Sequence, residues 1–140
     1  MNHEEGWKLL EHTADLRIEF RGRTLGELFL HAGLGLTQEL VGRSVPGGSV
    51  EISVKLDADA VEELLVDWLR EVLFLHTTRG FVMTGASFSA ISEHAVDAVL
   101  FGRPMERGDA GEIEVKAVTY HGISVEQGDD GYTARVVFDI

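Results

Sequence analysis

Along the 140 residues the spacing of apolar positions changes several times, and each change marks an element. From Leu25 to Leu40 apolar residues fall at Leu25, Leu28, Phe29, Ala32, Leu36 and Leu40, the period of a helix with one buried side. Thr24 and Glu27 stand at the spacing of a capping box, in which a hydroxyl and a carboxylate satisfy free amides at a helix start. Gly33 and Gly35 inside this helix each cost about 1 kcal/mol against alanine, so close packing on a neighbour is the expected reason for them. A second helix is predicted from near Asp59 to about Thr77, with Asp59 and Glu62 repeating the capping spacing. Its stripe is Val61, Leu64, Leu65, Trp68, Leu69, Val72 and Leu73, and Glu62, Glu63, Asp67, Arg70 and Glu71 fall on the wet side. Gly80 occupies the place of a left-handed terminating residue.

Elsewhere the period is two or the runs are short. Leu16, Ile18 and Phe20 alternate with Arg17, Glu19 and Arg21, which predicts a half-buried strand. Trp7–Leu10, Val50–Leu56, Phe81–Ala90, His94–Phe101, Ile113–Glu126 and Tyr132–Ile140 read as further strands. Gly122 is placed to bend one of them, and Gly128-Asp-Asp-Gly131 is a strong hairpin turn. The loosest stretches, Gly42–Ser49 and Gly102–Gly111, read as surface loops. No repeat or linker divides the chain, so residues 1–140 are expected to form one α+β domain: a largely antiparallel sheet with two main helices packed on one face.

Composition narrows the function. Twelve basic against twenty-four acidic side chains leave a formal charge of −12, which repels phosphate backbones and argues against tight direct binding of nucleic acid. A cation, or a basic patch on another protein, suits this surface better. With no cysteine there is no disulfide, thiolate metal site or thiol nucleophile. No apolar run suggests a signal peptide or a membrane span, and a cytoplasmic protein is expected.

Several chemistries drop out. Gly33-Leu-Gly35 lies inside a helix and is no dinucleotide fingerprint, no Walker loop is present, and Gly85-Ala-Ser-Phe-Ser lacks the second glycine of a nucleophile elbow. The six histidines show no zinc spacing, and scattered polar roles suit them best. The carboxylates say more. Asp15 follows the small residues Thr13 and Ala14 between two strand-like runs, where Glu11 could face the same loop. In the last strand the apolar members Tyr132, Ala134, Val136, Phe138 and Ile140 point to the core, and Asp139 points away. An aspartate beside a fixed α-carboxylate at Ile140 offers hard oxygen donors, and with Asp15 the set suits Ca²⁺, Mg²⁺ or Mn²⁺. From spacing alone the plainer account is an Asp15 that caps a turn and a solvated Asp139. Lys116, alone after Glu112-Ile-Glu-Val115 on an apparently half-buried strand, is either an ion-pair partner or a contact for a phosphate.

The blocks Glu11-His-Thr-Ala-Asp15, Thr24-Leu25, Glu63-Leu-Leu-Val-Asp-Trp-Leu69, Lys116-Ala-Val-Thr-Tyr-His-Gly122 and Val136-Val-Phe-Asp-Ile140 together resemble the archease family. The resemblance runs from about Trp7 to Ile140, with Leu16-Arg17 a small local departure. It implies an accessory protein, not an enzyme: a factor that promotes guanylylation and repeated turnover of the GTP-dependent, RtcB-type RNA ligase that joins tRNA exon halves in tRNA splicing. It also implies a divalent ion, seen as calcium in the family, held by Asp15, Asp139 and the backbone carboxylate of Ile140. Lys116 corresponds to a further residue needed for activation. No catalytic residue is implied. The competing readings are a metal-dependent hydrolase built on Asp15 and Asp139, and a general chaperone or modulator of a tRNA-modifying enzyme.

Overall fold

The alternation that begins at Leu16 is realised as strand β2 (Asp15–Gly22), whose Leu16, Ile18 and Phe20 are fully buried. The computed structural model describes residues 6–10, 15–43 and 46–140. Strands β1 (Trp7–Leu9) and β7 (Gly131–Asp139) flank β2, and β6 (Ala117–Gly128) pairs with β7 to complete a four-stranded antiparallel sheet in the order β1-β2-β7-β6. Its inner rows are Trp7–Phe20–Ala134, Leu9–Ile18–Val136 and Leu16–Phe138–Val118. Because side chains alternate between faces, Asp15, Arg17, Glu19 and Arg21 all lie on the outer side.

Three further strands form a second antiparallel sheet, β3 (Val50–Asp57), β5 (Ala95–Pro104) and β4 (Phe81–Ile91), in the order β3-β5-β4. The α+β class is as expected, with the strands divided between two sheets. Helix α1 (Leu25–Val41) packs on β2 of one sheet and β4 of the other. Helix α2 (Val61–Arg79) packs on β6 of the first and on β4 and β3 of the second. The helices thus join the two sheets through one continuous core.

The glycines of α1 make this contact possible. A methyl at Gly33 would lie 2.5 Å from Met83 Sδ, and one at Gly35 would lie 2.8 Å from a Phe20 ring carbon and 2.9 Å from the Trp7 indole. Trp68 of α2 is fully buried and donates its indole N–H to the Phe29 carbonyl of α1 at 2.8 Å. That bond avoids the roughly 1–3 kcal/mol penalty of an unpaired buried donor and locks the helix pair.

Two boundaries differ from expectation. Thr24 caps α1 as predicted, accepting from the Glu27 amide at 3.1 Å, while the Glu27 carboxylate reaches back to the amide of Arg23. On α2, however, Ala60 is the N-cap and no side chain caps it, so Asp59 stands one residue too early to act. Likewise Ile113–Lys116 are outside β6, which begins at Ala117. The preceding loop is held elsewhere: Gly111 donates to the Leu40 carbonyl at 3.0 Å, and buried Asp109 accepts from Arg43, Arg103 and the Glu106 amide. The chain joins the edge of β7 only at Lys116, whose amide donates to the Asp139 carbonyl at 2.8 Å. Farther along β6, Thr119 faces Val137 and Ser124 faces Arg135, so the four residues Tyr120–Ile123 stand against Val136 alone. Gly122, at φ +68°, supplies the turn this excursion requires.

Candidate functional site: a carboxylate pair at the end of the four-stranded sheet

The register between β2 and β7 sets Asp15 directly opposite Asp139. Residues so paired share one face of a sheet, with Cβ atoms about 4.5–5.5 Å apart. On the far side of Asp139 stands Ala117 of β6, whose small side chain leaves the space over the carboxylate open. Asp139 is exposed, and the Asp15 side chain is 28% exposed. Like charges placed opposite each other repel. Arg17 answers only one of them, its Nε lying 3.1 Å from Asp15 Oδ1, and as an exposed pair it contributes at most about 1 kcal/mol. Among the described residues Asp139 has no cationic partner within 4.0 Å.

The remaining expected residues gather at the same corner. Ile140 follows Asp139 and packs against the core, which holds the backbone there. Lys116 is tied to Asp139 through the main chain, and its exposed side chain has no carboxylate within 4.0 Å among the described residues. Glu11, His12, Thr13 and Ala14 lie outside the described residues, as does His3. As a donor set, two opposed carboxylates, of which one alone has a cation beside it among the described residues, fit a hard divalent cation. Among the described residues no third imidazole or carboxylate joins them, so other oxygens must come from the main chain or solvent.

One carboxylate on the same face behaves differently from its pattern. Glu19 falls among the outward residues yet is only 3% exposed, because Lys8, Arg21 and Arg135 close over it at 3.5, 3.2 and 3.2 Å. Burial alone would raise its pKa, but Lys8, Arg135 and Arg21 outweigh it and hold the carboxyl below its ordinary value. With three cations on one carboxylate this cluster is net positive, whereas farther along the face Asp139 has no cation within 4.0 Å among the described residues.

Among the described residues the histidines form no metal-holding group. His31, His76 and His94 each turn Nδ1 to a different main-chain carbonyl, of Arg21, Phe81 and Ala58. A concavity of about 590 Å³ beside the Gly128–Gly131 turn lies at the opposite end of β2 from Asp15, about 23 Å away by strand rise. It contains none of the predicted residues. A cluster that periodicity did not reveal joins α2 to β6. The guanidinium of Arg70 sits 4.5 Å over the Tyr120 ring and donates to the Val118 carbonyl, while the Tyr120 hydroxyl donates to Asp67 at 3.2 Å. Burial, then the Asp67 charge, raises the Tyr120 pKa. The wet-side positions of Asp67 and Arg70, three apart on α2, were the only hint of it.

Known proteins place this arrangement in a family. The sequence model of the archease protein family matches residues 7–140. The archease of Methanosarcina acetivorans is 34% identical over 96% of this chain and 95% of its own length, and that of Archaeoglobus fulgidus is 33% identical over 96% and 98%. Among solved structures, Methanobacterium thermoautotrophicum protein 1598 superposes with a TM-score of 0.78 at 27% identity, covering 97% of this chain and 99% of that one. A Thermotoga maritima archease, described as a possible chaperone, gives 0.64 at 25% identity over 95% and 96%. A match over nearly the whole chain, with relatives of the same length and the same fold, makes this chain a member of the archease family.

Proposed function

We propose that this chain is a non-enzymatic activator of a GTP-dependent, RtcB-type RNA ligase acting in tRNA splicing in the cytoplasm, and that it works through a divalent-cation tip formed by Asp15, Asp139 and the Ile140 carboxylate. The observation that carries the reading is the direct opposition of Asp15 and Asp139 with Lys116 bonded alongside. Calcium, or magnesium or manganese, bound there would supply positive charge for orienting phosphates. Asp15 and Asp139 hold and release the ion from a surface that can enter a partner's cleft. Lys116 sits at the edge of that surface, where its ammonium can meet a phosphate or a ligase carboxylate as a compact point charge. Guanylylation requires a triphosphate and a nucleophile to be positioned together, and a partner that orders charged groups there lowers the barrier. The overall charge of −12 suits an approach to a basic RNA-binding cleft without competition for RNA.

The test is ligation of RNA halves by the cognate ligase with GTP and a divalent ion. Sub-stoichiometric amounts of this chain should turn a single round of joining into many. Lys116→Ala should weaken that effect while leaving cation affinity nearly unchanged. Unaltered turnover, or ligation or GTP hydrolysis by the chain on its own, would overturn the reading.

A further inference from the structure

Beside the carboxylate pair, on the helix side of the sheet, α2 and the start of β6 enclose an open groove of about 390 Å³. Phe74, Leu73 and Thr77 line it from the helix, and Lys116 and Val118 line it from the strand, with Arg70 at one end. Phe74 is 53% exposed. It lies off the buried stripe of α2, between Arg70 and Thr77 on the exposed side, so its ring contributes little to the core. A large apolar ring held in water at such a place carries a cost that a bound partner would remove.

The groove brings two cations without carboxylate partners together. Lys8, Arg17, Arg21, Arg43, Lys55, Arg103 and Arg135 each have a carboxylate within 4.0 Å. Arg70 and Lys116 have none among the described residues, as is also true of Arg23, Arg79 and Arg107, but these two stand together in one groove beside exposed Phe74. Arg70 is moreover fixed: Nε and Nη2 donate to the Val118 carbonyl and the group lies flat on Tyr120. With Nη1 also 3.4 Å from the Tyr120 hydroxyl, the exposed guanidinium is pre-oriented and loses little further entropy on binding. The groove is also continuous with the site above, since Lys116 borders both.

We infer that this groove docks an acidic segment of the partner protein, with an apolar side chain laid against Phe74 and Leu73 and flanking carboxylates on Lys116 and Arg70. The inference rests on the ligase being that partner. A protein segment suits the site better than RNA, because Asp67 and Glu71 on the same helix and the net charge of −12 disfavour a phosphate backbone.

Affinity for the cognate ligase, measured calorimetrically without RNA, tests it. Phe74→Ser should weaken binding about tenfold or more, as the loss of an aromatic anchor does, and Phe74→Leu should restore most of it. Lys116→Glu should weaken binding and flatten its salt dependence. Calcium affinity and the melting temperature of Phe74→Ser should match the parent protein, since the ring is exposed. If the parent protein binds and stimulates the ligase and Phe74→Ser binds equally well, the groove assignment falls while the activator reading stands. If the parent protein does not bind the ligase, both fall. If Phe74→Ser instead loses affinity for exon RNA with ligase affinity unchanged, the groove is an RNA site and the inference is wrong.

Discussion

Asp15 and Asp139 stand directly opposite each other on neighbouring antiparallel strands, and among the described residues only Asp15 has a cation within 4.0 Å. The pair therefore opposes folding slightly, and on the proposed function a bound ion would relieve it. Asp139→Asn should cut affinity for calcium or manganese by at least tenfold, the loss of a charged donor being worth about 1.5–3 kcal/mol. The ion-free protein should meanwhile stay as stable or gain about 0.2–1 kcal/mol from removed repulsion. Asp15→Asn should also lose the ion but gain less, because Arg17 forfeits its partner. Titration calorimetry with melting curves in chelator checks both, and unchanged affinity in the two variants would rule out the assignment.

Extending the chain by a few residues after Ile140 converts its carboxylate to a neutral amide and moves the charge away. Cation affinity and ligase stimulation should both fall. Equal activity of tagged and untagged protein would remove Ile140 from the proposed ligand set.

Asp109 gives the fold an acid limit. The Glu106 amide at 2.7 Å holds its carboxyl down to about 2 from an ordinary 3.8, against the opposing effect of burial and with help from Arg43 and Arg103. Because the folded value lies below the unfolded one, this stabilisation is full above about pH 4 and is lost as pH falls toward 2. Asp109→Asn should cost about 1.5–3 kcal/mol at neutral pH and should flatten the pH dependence over that window. Urea unfolding at several pH values reads both effects.

Gly35 and Gly26 separate packing from helix propensity within one helix. Gly35→Ala gains up to about 1 kcal/mol of propensity but pushes a methyl to 2.8–2.9 Å from Phe20 and Trp7. Overpacking costs about 1–3 kcal/mol, so net destabilisation is expected. At Gly26 the nearest atoms lie 3.8 Å away, and Gly26→Ala should stabilise by a few tenths to about 1 kcal/mol. Thermal melts of both variants decide the matter.

Periodicity alone identified both helices, the inner row of β2 and the outward direction of Asp139, because each is a property of a single segment. What it left open was who meets whom. The division into two sheets depends on partner choice, and alternation reports only which side of a strand is wet. The meeting of Asp15 with Asp139 is set by a register between opposite ends of the chain, and the family resemblance supplied it where spacing could not. Glu19 shows the converse: its position in the alternation is outward, yet three cations from β1, β2 and β7 bury it. Asp59 failed as a cap because the helix begins two residues beyond it, a margin that pattern reading does not resolve. Arg70, read as a solvated charge, is pinned by a tyrosine fifty residues away.

The excursion at Tyr120–Ile123 has a further effect on how molecules of this protein meet each other. β6 is the outermost strand of its sheet, and an open strand edge is a template on which another chain can add itself. Here the template is interrupted after Thr119: four residues swing out against one, Gly122 reverses the path, and the row of amides and carbonyls loses its straight spacing. A second copy that began to zip onto the edge from the Asp139 end would run out of matching groups within a few residues. The glycine that shapes this corner thus also guards the β6 edge of the sheet against a fifth strand.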